Sequence, residues 1–295
     1  MNILITGGRG QLGLDLTAAL SESHTVTAVD LPELNITDES AVAGLLGRLA
    51  PQVVVNCAAF TRVDDCEHQS EAAWLANATG PRILARALAP SRARLIQIST
   101  DYVFDGQRRV PEPYTESDAP RPLSQYGRSK LAGEQAVLDA SADNAVVRTA
   151  WLYGAGGPNF LKTMLRLALD PDRSEIRVVN DQFGSPTWSW RLARQIGRLV
   201  ESGGSGIYHA TAEGYGSWYD LARHFLGCMD VPCRLVPCTS AEYPTPARRP
   251  ANSILDNRRL RSEGIWLMQP WRDDVARFAR EHGERLRAEV TREGS

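Results

Sequence analysis

The segment SQYGRSKLAGEQ (124–135) contains a tyrosine and a lysine, Tyr126 and Lys130, four positions apart. On a helix, side chains with this spacing lie on one face and can interact. A phenol has a pKa of about 10 and exchanges protons poorly at neutral pH, but a neighbouring ammonium stabilises the phenolate and lowers that pKa. The pair is therefore predicted to give a proton to a carbonyl oxygen while hydride reaches the carbonyl carbon.

Hydroxyl and acidic side chains also end a strand-like run, RLIQIST (94–100), which is followed by DYVFDG (101–106). Ligands of parallel α/β sheets bind outside the carboxyl ends of the strands. Thr100, at such an end, can donate a hydrogen bond to the carbonyl oxygen that Tyr126 would protonate. A Tyr-x-x-x-Lys spacing alone is common on surface helices, and the polar strand end is what favours a reaction centre.

A glycine-rich loop lies between the first strand-like run, NILIT (2–6), and a helical pattern. Gly7 can adopt a backbone conformation closed to other residues, Gly10 lets the backbone approach a pyrophosphate, and Gly13 lets helix and strand pack closely. The N-terminus of the helix offers unpaired N–H groups to phosphates. Because no Gly-Lys-Ser/Thr ends the loop, a P-loop is excluded, and dinucleotide binding is favoured over a simple turn.

Two charged residues give opposite indications about which nicotinamide dinucleotide would bind. Asp30 ends the second strand-like run, where a carboxylate can accept hydrogen bonds from the adenosine ribose hydroxyls and favour NADH. Arg9, inside the glycine loop, can pair with a 2′-phosphate and favour NADPH. The sequence leaves the choice between NADH and NADPH open.

The elements that must position these residues alternate between short β-branched runs and longer helical patterns. Strands are predicted over 2–6, 25–30, 52–58, 94–100 and 145–154, and helices over 10–23, 40–50, 70–89 and 129–140. Such alternation with short connections predicts βαβ units, and hence a doubly wound α/β fold with a parallel sheet.

After about residue 155 the pattern loosens, because Pro and Gly interrupt it. Helices are predicted near 160–169, 189–202 and 217–228, and the segment 272–290 is predicted to be a charged amphipathic helix, most simply a solvated surface element. We expect residues 1–154 to form a Rossmann-like NAD(P)-binding domain. Residues 155–295 are expected to form mainly a smaller substrate lobe, with some segments returning to the first domain.

Composition limits the class of protein. Of the 295 residues, 43% are hydrophobic and 23% are charged, as in ordinary globular proteins, and the net charge of −2 indicates neither a nucleic-acid nor a membrane partner. The first strand begins close behind Met1, and no apolar run approaches the ~20 residues of a membrane span, so a cytoplasmic protein is expected. The five cysteines and five histidines lack metal-ligand spacing, so we expect reduced thiols and no metal site.

Three motifs taken together, TGGRGQLG (6–13), STD (99–101) and YGRSK (126–130), resemble the extended short-chain dehydrogenase/reductase superfamily. Longer segments are similar to one family within it, the dTDP-4-dehydrorhamnose reductases. These segments are NCAAFTRVDDCE (56–67), STDYVFDG (99–106), RTAWLYG (148–154), VVNDQFGSPT (178–187), GIYHATAEGYGSWYDLA (206–222) and RRPANSILDNRRL (248–260). They follow the order of the family, and the similarity extends over nearly the whole chain.

The resemblance implies an NAD(P)H-dependent reductase of the C4 ketone of dTDP-4-dehydrorhamnose, which yields dTDP-L-rhamnose. It implies that Thr100, Tyr126 and Lys130 are catalytic, with Tyr126 protonating the C4 oxygen and Lys130 also touching the nicotinamide ribose. The dinucleotide would be lined by Gly7, Gly10, Gln11, Leu12, Asp30, Ala58 and Ala59, and the dTDP-sugar by Val103, Trp151, Arg249 and Ser253. Some members bind Mg²⁺ at a dimer interface; its ligands have no assignment in this sequence, and a monomer or a homodimer is expected.

Several other functions were weighed against this one. A 4,6-dehydratase of the superfamily would need Asp and then Glu after Thr100, but Tyr102 follows Asp101. The family-specific segments argue against a C4 epimerase, although no single residue forbids it. A ketoreductase for another deoxysugar of secondary metabolism stays open. So does a non-catalytic nucleotide-binding subunit, against which the complete Thr100, Tyr126 and Lys130 set argues.

Overall fold

A computed structural model of the chain describes residues 1–293. The strands are β1 (Asn2–Thr6), β2 (Thr25–Val29), β3 (Val53–Asn56), β4 (Arg94–Thr100), β5 (Ala145–Thr149), β6 (Leu152–Tyr153), β7 (Ile176–Val179), β8 (Phe183–Gly184), β9 (Thr187–Trp188), β10 (Gly206–His209), β11 (Gly216–Ser217) and β12 (Leu235–Cys238). The α-helices are α1 (Gln11–Ser21), α2 (Glu39–Leu49), α3 (Asp65–His68), α4 (Ser70–Trp74), α5 (Gly80–Leu88), α6 (Gln125–Ala140), α7 (Phe160–Leu169), α8 (Ser189–Ser202), α9 (Trp218–Cys228), α10 (Arg258–Ser262) and α11 (Trp271–Glu293).

Six strands form one parallel sheet in the order β2-β1-β3-β4-β5-β10. Alternate side chains of β1 point to opposite faces: Ile3 and Ile5 pack with residues of α1 and α8, whereas Leu4 packs with residues of α2 and α5. The sheet is thus covered by helices on both faces, and the predicted doubly wound α/β class is confirmed. The strand order reverses between β1 and β3, which is where such sheets open a crevice for ligands.

Several predicted boundaries move for local reasons. The strand predicted over 145–154 is interrupted, because Trp151 has a φ of 48° and breaks the extended run between β5 and β6. The helix predicted over 129–140 begins earlier, at Gln125, since the Ser124 hydroxyl caps it by accepting a hydrogen bond from the N–H of Gly127 at 3.2 Å. The long helix predicted over 70–89 contains a π-helical segment, Leu75–Thr79.

The prediction of a solvated C-terminal helix over 272–290 is wrong for one of its faces. Helix α11 buries Val275, Phe278 and Leu286 in a second apolar core, where they meet residues of α7 and α9. The amphipathic pattern predicted for the segment includes such an apolar stripe, and burial against a neighbour stabilises it. Phe278, fully buried, marks this stripe most clearly.

Two elements from the part of the chain after residue 155 belong to the six-stranded sheet and its covering helices. Strand β10 pairs in parallel with β5, and helix α8 packs against α1 through Leu192 and Ile196. The division of the chain at residue 154 stays a prediction. No helix within residues 1–293 is long and apolar enough to cross a membrane.

Candidate active site

A cleft of about 800 Å³ lies along the carboxyl edge of the sheet. The ends of β1, β3, β4 and β5 contribute to it, as the sheet order requires. The predicted catalytic and dinucleotide-binding residues all line it: Gly7, Gly10, Gln11, Leu12, Asp30, Ala58, Ala59, Thr100, Tyr126 and Lys130. Residues far apart in the sequence therefore meet in one cleft, whose volume is in the range of ligand-binding pockets.

The glycine loop has the tight geometry that a phosphate cradle needs. Gly7 has a φ of 70°, and a Cβ there would lie 2.6 Å from the backbone nitrogen of Ala58. A Cβ at Gly13 would lie 2.2 Å from the carbonyl oxygen of Gly7. No side chain caps the N-terminus of α1 at Gly10, so the first turn keeps donors for an anion. The tight turn and the close helix–strand approach expected at Gly7 and Gly13 are present, and the binding of a dinucleotide diphosphate there stays a prediction.

Arg9 and Asp30, the two residues that gave opposite indications, lie side by side. The Asp30 carboxylate accepts a hydrogen bond from the N–H of Arg9 at 2.9 Å. The Arg9 guanidinium donates to the carbonyl oxygen of Leu31 at 2.9 Å and pairs with the carboxylate of Glu33. Sequence reasoning missed Glu33, which adds a second carboxylate beside Arg9.

The proposed proton-transfer residues come from two elements that meet at the end of β4. Tyr126 and Lys130 lie one turn apart on α6, and only 9% of Tyr126 and 4% of Lys130 is exposed. The Lys130 ammonium donates a hydrogen bond to the carbonyl oxygen of Ile98 at 2.6 Å. The hydroxyl of Thr100 is buried beside the Tyr126 phenol. The structure thus brings the three predicted catalytic residues together.

The expected lowering of the Tyr126 pKa by a neighbouring ammonium is wrong. Burial raises the pKa of the Tyr126 phenol, and the neighbouring Thr100 hydroxyl opposes that rise only in part. Burial also lowers the pKa of Lys130 to about 8, against the opposing effect of Glu134. Tyr126 is therefore protonated at neutral pH, which is the state that a proton donor requires.

A buried ion pair holds α6 against the sheet. The Arg148 guanidinium, on β5, donates two hydrogen bonds to the Glu134 carboxylate, at 2.7 and 3.0 Å, and at most 2% of either side chain is exposed. The hydroxyl of Ser99, on β4, also donates to Glu134. Glu134 lies two turns after Tyr126 on the same helix face, and this spacing was the sequence signal that could have found it.

Asp101 is buried directly behind Thr100. Its carboxylate accepts a hydrogen bond from the Thr100 hydroxyl at 3.0 Å, and burial raises the pKa of Asp101 to about 6, although hydrogen bonds from Ser253 and Thr100 oppose the rise. The next residue, Tyr102, packs edge-to-face on the Tyr126 ring at 5.6 Å. A phenol thus occupies the position where a dehydratase would need its second carboxylate.

The four residues predicted around the dTDP-sugar have different surroundings. Trp151 lines the cleft, whereas Val103 and Ser253 are buried and do not line it. The Arg249 guanidinium pairs with the Asp64 carboxylate at 2.8 Å and also lies outside the cleft lining. A diphosphate would have to compete with Asp64 for Arg249.

Within residues 1–293, no group of three or more His, Cys, Asp or Glu side chains is placed to hold a metal ion. The Mg²⁺ site suggested by the resemblance therefore has no candidate ligand set in the described part of this chain. All five cysteines lie within this part, and all are free thiols.

A parallel sheet with a glycine-rich first turn and a Tyr–Lys pair at the end of β4 defines a Rossmann-like oxidoreductase of the short-chain dehydrogenase/reductase type, which uses NAD(P)H. The family model of the RmlD substrate binding domain matches residues 1–283, and the chain belongs to this family. The family indicated by the sequence motifs is confirmed.

Named relatives cover almost the whole chain. The chain is 44% identical to the dTDP-4-dehydrorhamnose reductase of Mycobacterium tuberculosis, over 93% of this chain and 91% of the relative. It is 42% identical to the dTDP-4-keto-6-deoxy-D-glucose reductase of Streptomyces niveus, over 91% of this chain and 93% of the relative. The crystal structure of dTDP-4-dehydrorhamnose reductase from Bacillus anthracis in complex with NADP has a TM-score of 0.91 to this chain at 38% identity, and covers 95% of this chain and 99% of that one.

Proposed function

We propose that this protein reduces the C4 ketone of dTDP-4-dehydrorhamnose to give dTDP-L-rhamnose. The observation that carries the proposal is the convergence of Thr100, Tyr126 and Lys130 beside the glycine loop in one cleft. The named reductases among its relatives support a 4-keto dTDP-sugar as the substrate. Gly7, Gly10, Gln11, Leu12, Asp30, Ala58 and Ala59 would hold the dinucleotide, whose bound nicotinamide supplies the hydride.

The residues of the chain would supply the proton and the orientation. Tyr126, protonated at neutral pH, donates its proton to the C4 oxygen, and Thr100 donates a second hydrogen bond to that oxygen. The Lys130 ammonium stabilises the negative charge left on Tyr126. The phenolate needs this stabilisation because the Tyr126 side chain is buried, and a negative charge removed from water has a high free energy.

The rate of reduction is expected to fall as the pH rises above about 8, the pKa of Lys130. Below that pH the Lys130 ammonium is charged and stabilises the Tyr126 phenolate. Above that pH Lys130 loses its proton, and kcat should fall by up to about tenfold per pH unit. The measurement is kcat between pH 6 and pH 10. Lys130→Arg stays charged across this range and should lose the inflection. An inflection that persists in Lys130→Arg, or a flat wild-type profile, would contradict the assignment.

We further propose that NADH is preferred over NADPH. The Glu33 carboxylate pairs with the Arg9 guanidinium, and the Asp30 carboxylate accepts a hydrogen bond from the backbone N–H of Arg9. Two carboxylates thus lie near one guanidinium, and this local charge disfavours a 2′-phosphate. Glu33→Gln should release Arg9 and strengthen NADPH binding about two- to fivefold, the worth of an exposed ion pair. Titration calorimetry gives both dissociation constants. Glu39→Gln, an exposed charge outside the cleft, should change neither, and an unchanged NADPH affinity in Glu33→Gln would overturn the charge argument.

A related dTDP-deoxysugar is the second candidate substrate, because relatives of similar identity are named for different 4-keto sugars. The deciding experiment mixes the protein with NADH or NADPH and either dTDP-4-dehydro-β-L-rhamnose or dTDP-4-keto-6-deoxy-D-glucose. The absorbance of the reduced nicotinamide should decrease fastest with the first sugar. Faster oxidation with the second would favour the alternative, and no oxidation with either would favour a non-catalytic binding protein.

The cellular setting is part of the same proposal. We propose a cytoplasmic enzyme, which the free cysteines support because thiols persist in a reducing compartment. A monomer or a homodimer stays a prediction. Gel filtration with light scattering distinguishes them.

A further inference from the structure

Two indole rings form a parallel stack at one end of the cleft. The centroids of Trp151 and Trp218 are 3.5 Å apart, and the ring planes differ by 2°. Both residues line the cleft. We propose that Trp218 is a positioning residue, which holds the Trp151 indole where it contacts the dTDP-sugar and so sets the affinity for that substrate. This inference rests on the proposed function and on the place beside the dTDP-sugar that the family resemblance implies for Trp151.

Trp151 needs such support because its backbone conformation is unfavourable. Its φ of 48° lies in the left-handed region, which side chains other than glycine rarely adopt. Its carbonyl oxygen accepts a hydrogen bond from the N–H of Thr187 at 3.2 Å, which fixes the backbone but not the ring. Contacts to the ring must therefore fix the direction of the indole.

Trp218 is itself firmly anchored at the start of α9. Its indole N–H donates to the side-chain oxygen of Gln182 at 3.2 Å, and the Gln182 amide donates to the Ser240 hydroxyl at 2.9 Å. A capping box between Ser217 and Asp220 fixes the first turn of the helix. Because Trp218 is held in place at the start of α9, its ring restricts the orientation of the Trp151 indole that stacks on it.

A second contact of the Trp151 indole is with strand β8, which lies next to Trp218 in the fold. Gly184 leaves room for the indole, since a Cβ there would lie 2.5 Å from two of its ring atoms. Gly184 pairs with Gly216 in the two-stranded sheet of β8 and β11, two residues before Trp218. The elements around the stack therefore contact one another. We expect a substitution at Trp218 to alter the position of Trp151 more than that of the glycine loop.

The test compares Trp218→Ala with Trp218→Phe, which keeps a ring to stack on Trp151. Trp218→Ala should raise the KM for dTDP-4-dehydro-β-L-rhamnose about tenfold, with a smaller change in kcat and with the NADH dissociation constant within about twofold of wild type. Trp218→Phe should restore most of the affinity. Near-UV circular dichroism should lose the signal of the stacked indoles in both variants.

A wild-type KM in Trp218→Ala, or an equal loss of NADH affinity, would overturn the inference. If Trp218→Ala does not fold, Gln182→Leu removes the anchor of the indole and should raise the KM in the same direction, about threefold; an unchanged KM in that variant would also overturn the inference. Calorimetric measurement of dTDP binding distinguishes a failure of the proposed function from a failure of the role proposed for Trp218. A wild-type protein that binds dTDP without reducing the sugar contradicts the proposed function, whereas equal dTDP affinity of wild type and Trp218→Ala contradicts the role of Trp218.

Discussion

Tyr126→Phe is expected to lower kcat about 10²–10⁴-fold, the usual worth of a positioned proton donor. The substitution removes only the hydroxyl from a ring that is 9% exposed and packs edge-to-face on Tyr102, so the ring itself keeps its place. Without that hydroxyl the C4 oxygen would lose its positioned proton donor. Steady-state kinetics with saturating NADH and dTDP-4-dehydro-β-L-rhamnose measures the loss.

The control variant is Tyr208→Phe, which removes a phenol that lies in β10 and donates to Glu263 outside the cleft. It should keep kcat within about threefold of wild type, since it lacks any contact with the site. NADH binding should be similar in both variants. If Tyr126→Phe turns over at near the wild-type rate, Tyr126 does not donate the proton.

Arg148→Met is expected to lower the free energy of unfolding by about 3–5 kcal/mol, because it leaves the Glu134 carboxylate buried without its partner. Almost no surface of either side chain reaches water, so solvent screening does not reduce the effect. Activity should fall as well, since Glu134 belongs to the helix that carries Tyr126 and Lys130. Denaturant unfolding with a linear extrapolation gives the stability change.

The matched control is the double variant Arg148→Met/Glu134→Met, which replaces both charges by apolar groups of similar length. It should recover much of the lost stability, because the unpaired buried charge is gone. A double variant as unstable as Arg148→Met alone would show that packing, and not the unpaired carboxylate, causes the loss.

The sheet and the cofactor loop could be predicted from the sequence because their signals are local. The apolar run of β3 and the strand–glycine–helix pattern at Gly7 and Gly13 depend on residues that are neighbours in the chain. Placement of Thr100 near Tyr126 also follows from local patterns, since ligands bind at the carboxyl ends of parallel strands.

Features that depend on contacts between distant residues could not be predicted. Glu33 beside Arg9, Arg148 against Glu134 and Trp218 on Trp151 join segments that no periodicity relates. The pKa of Lys130 depends on its burial beneath the cleft, which the spacing from Tyr126 does not reveal. The burial of the apolar face of α11 could not be predicted for the same reason, because its partner helices lie far away in the chain.

Transfer of deuterium tests the central claim most directly, because it follows hydride to the carbon that accepts it. The protein is incubated with dTDP-4-dehydro-β-L-rhamnose and NADH that carries two deuterium atoms at C4 of the nicotinamide, and the product is examined by NMR. The account predicts one deuterium at C4 of the hexose in dTDP-L-rhamnose, and almost none formed by Tyr126→Phe in the same time. Product without deuterium at C4, or no product from the wild-type protein, would contradict it.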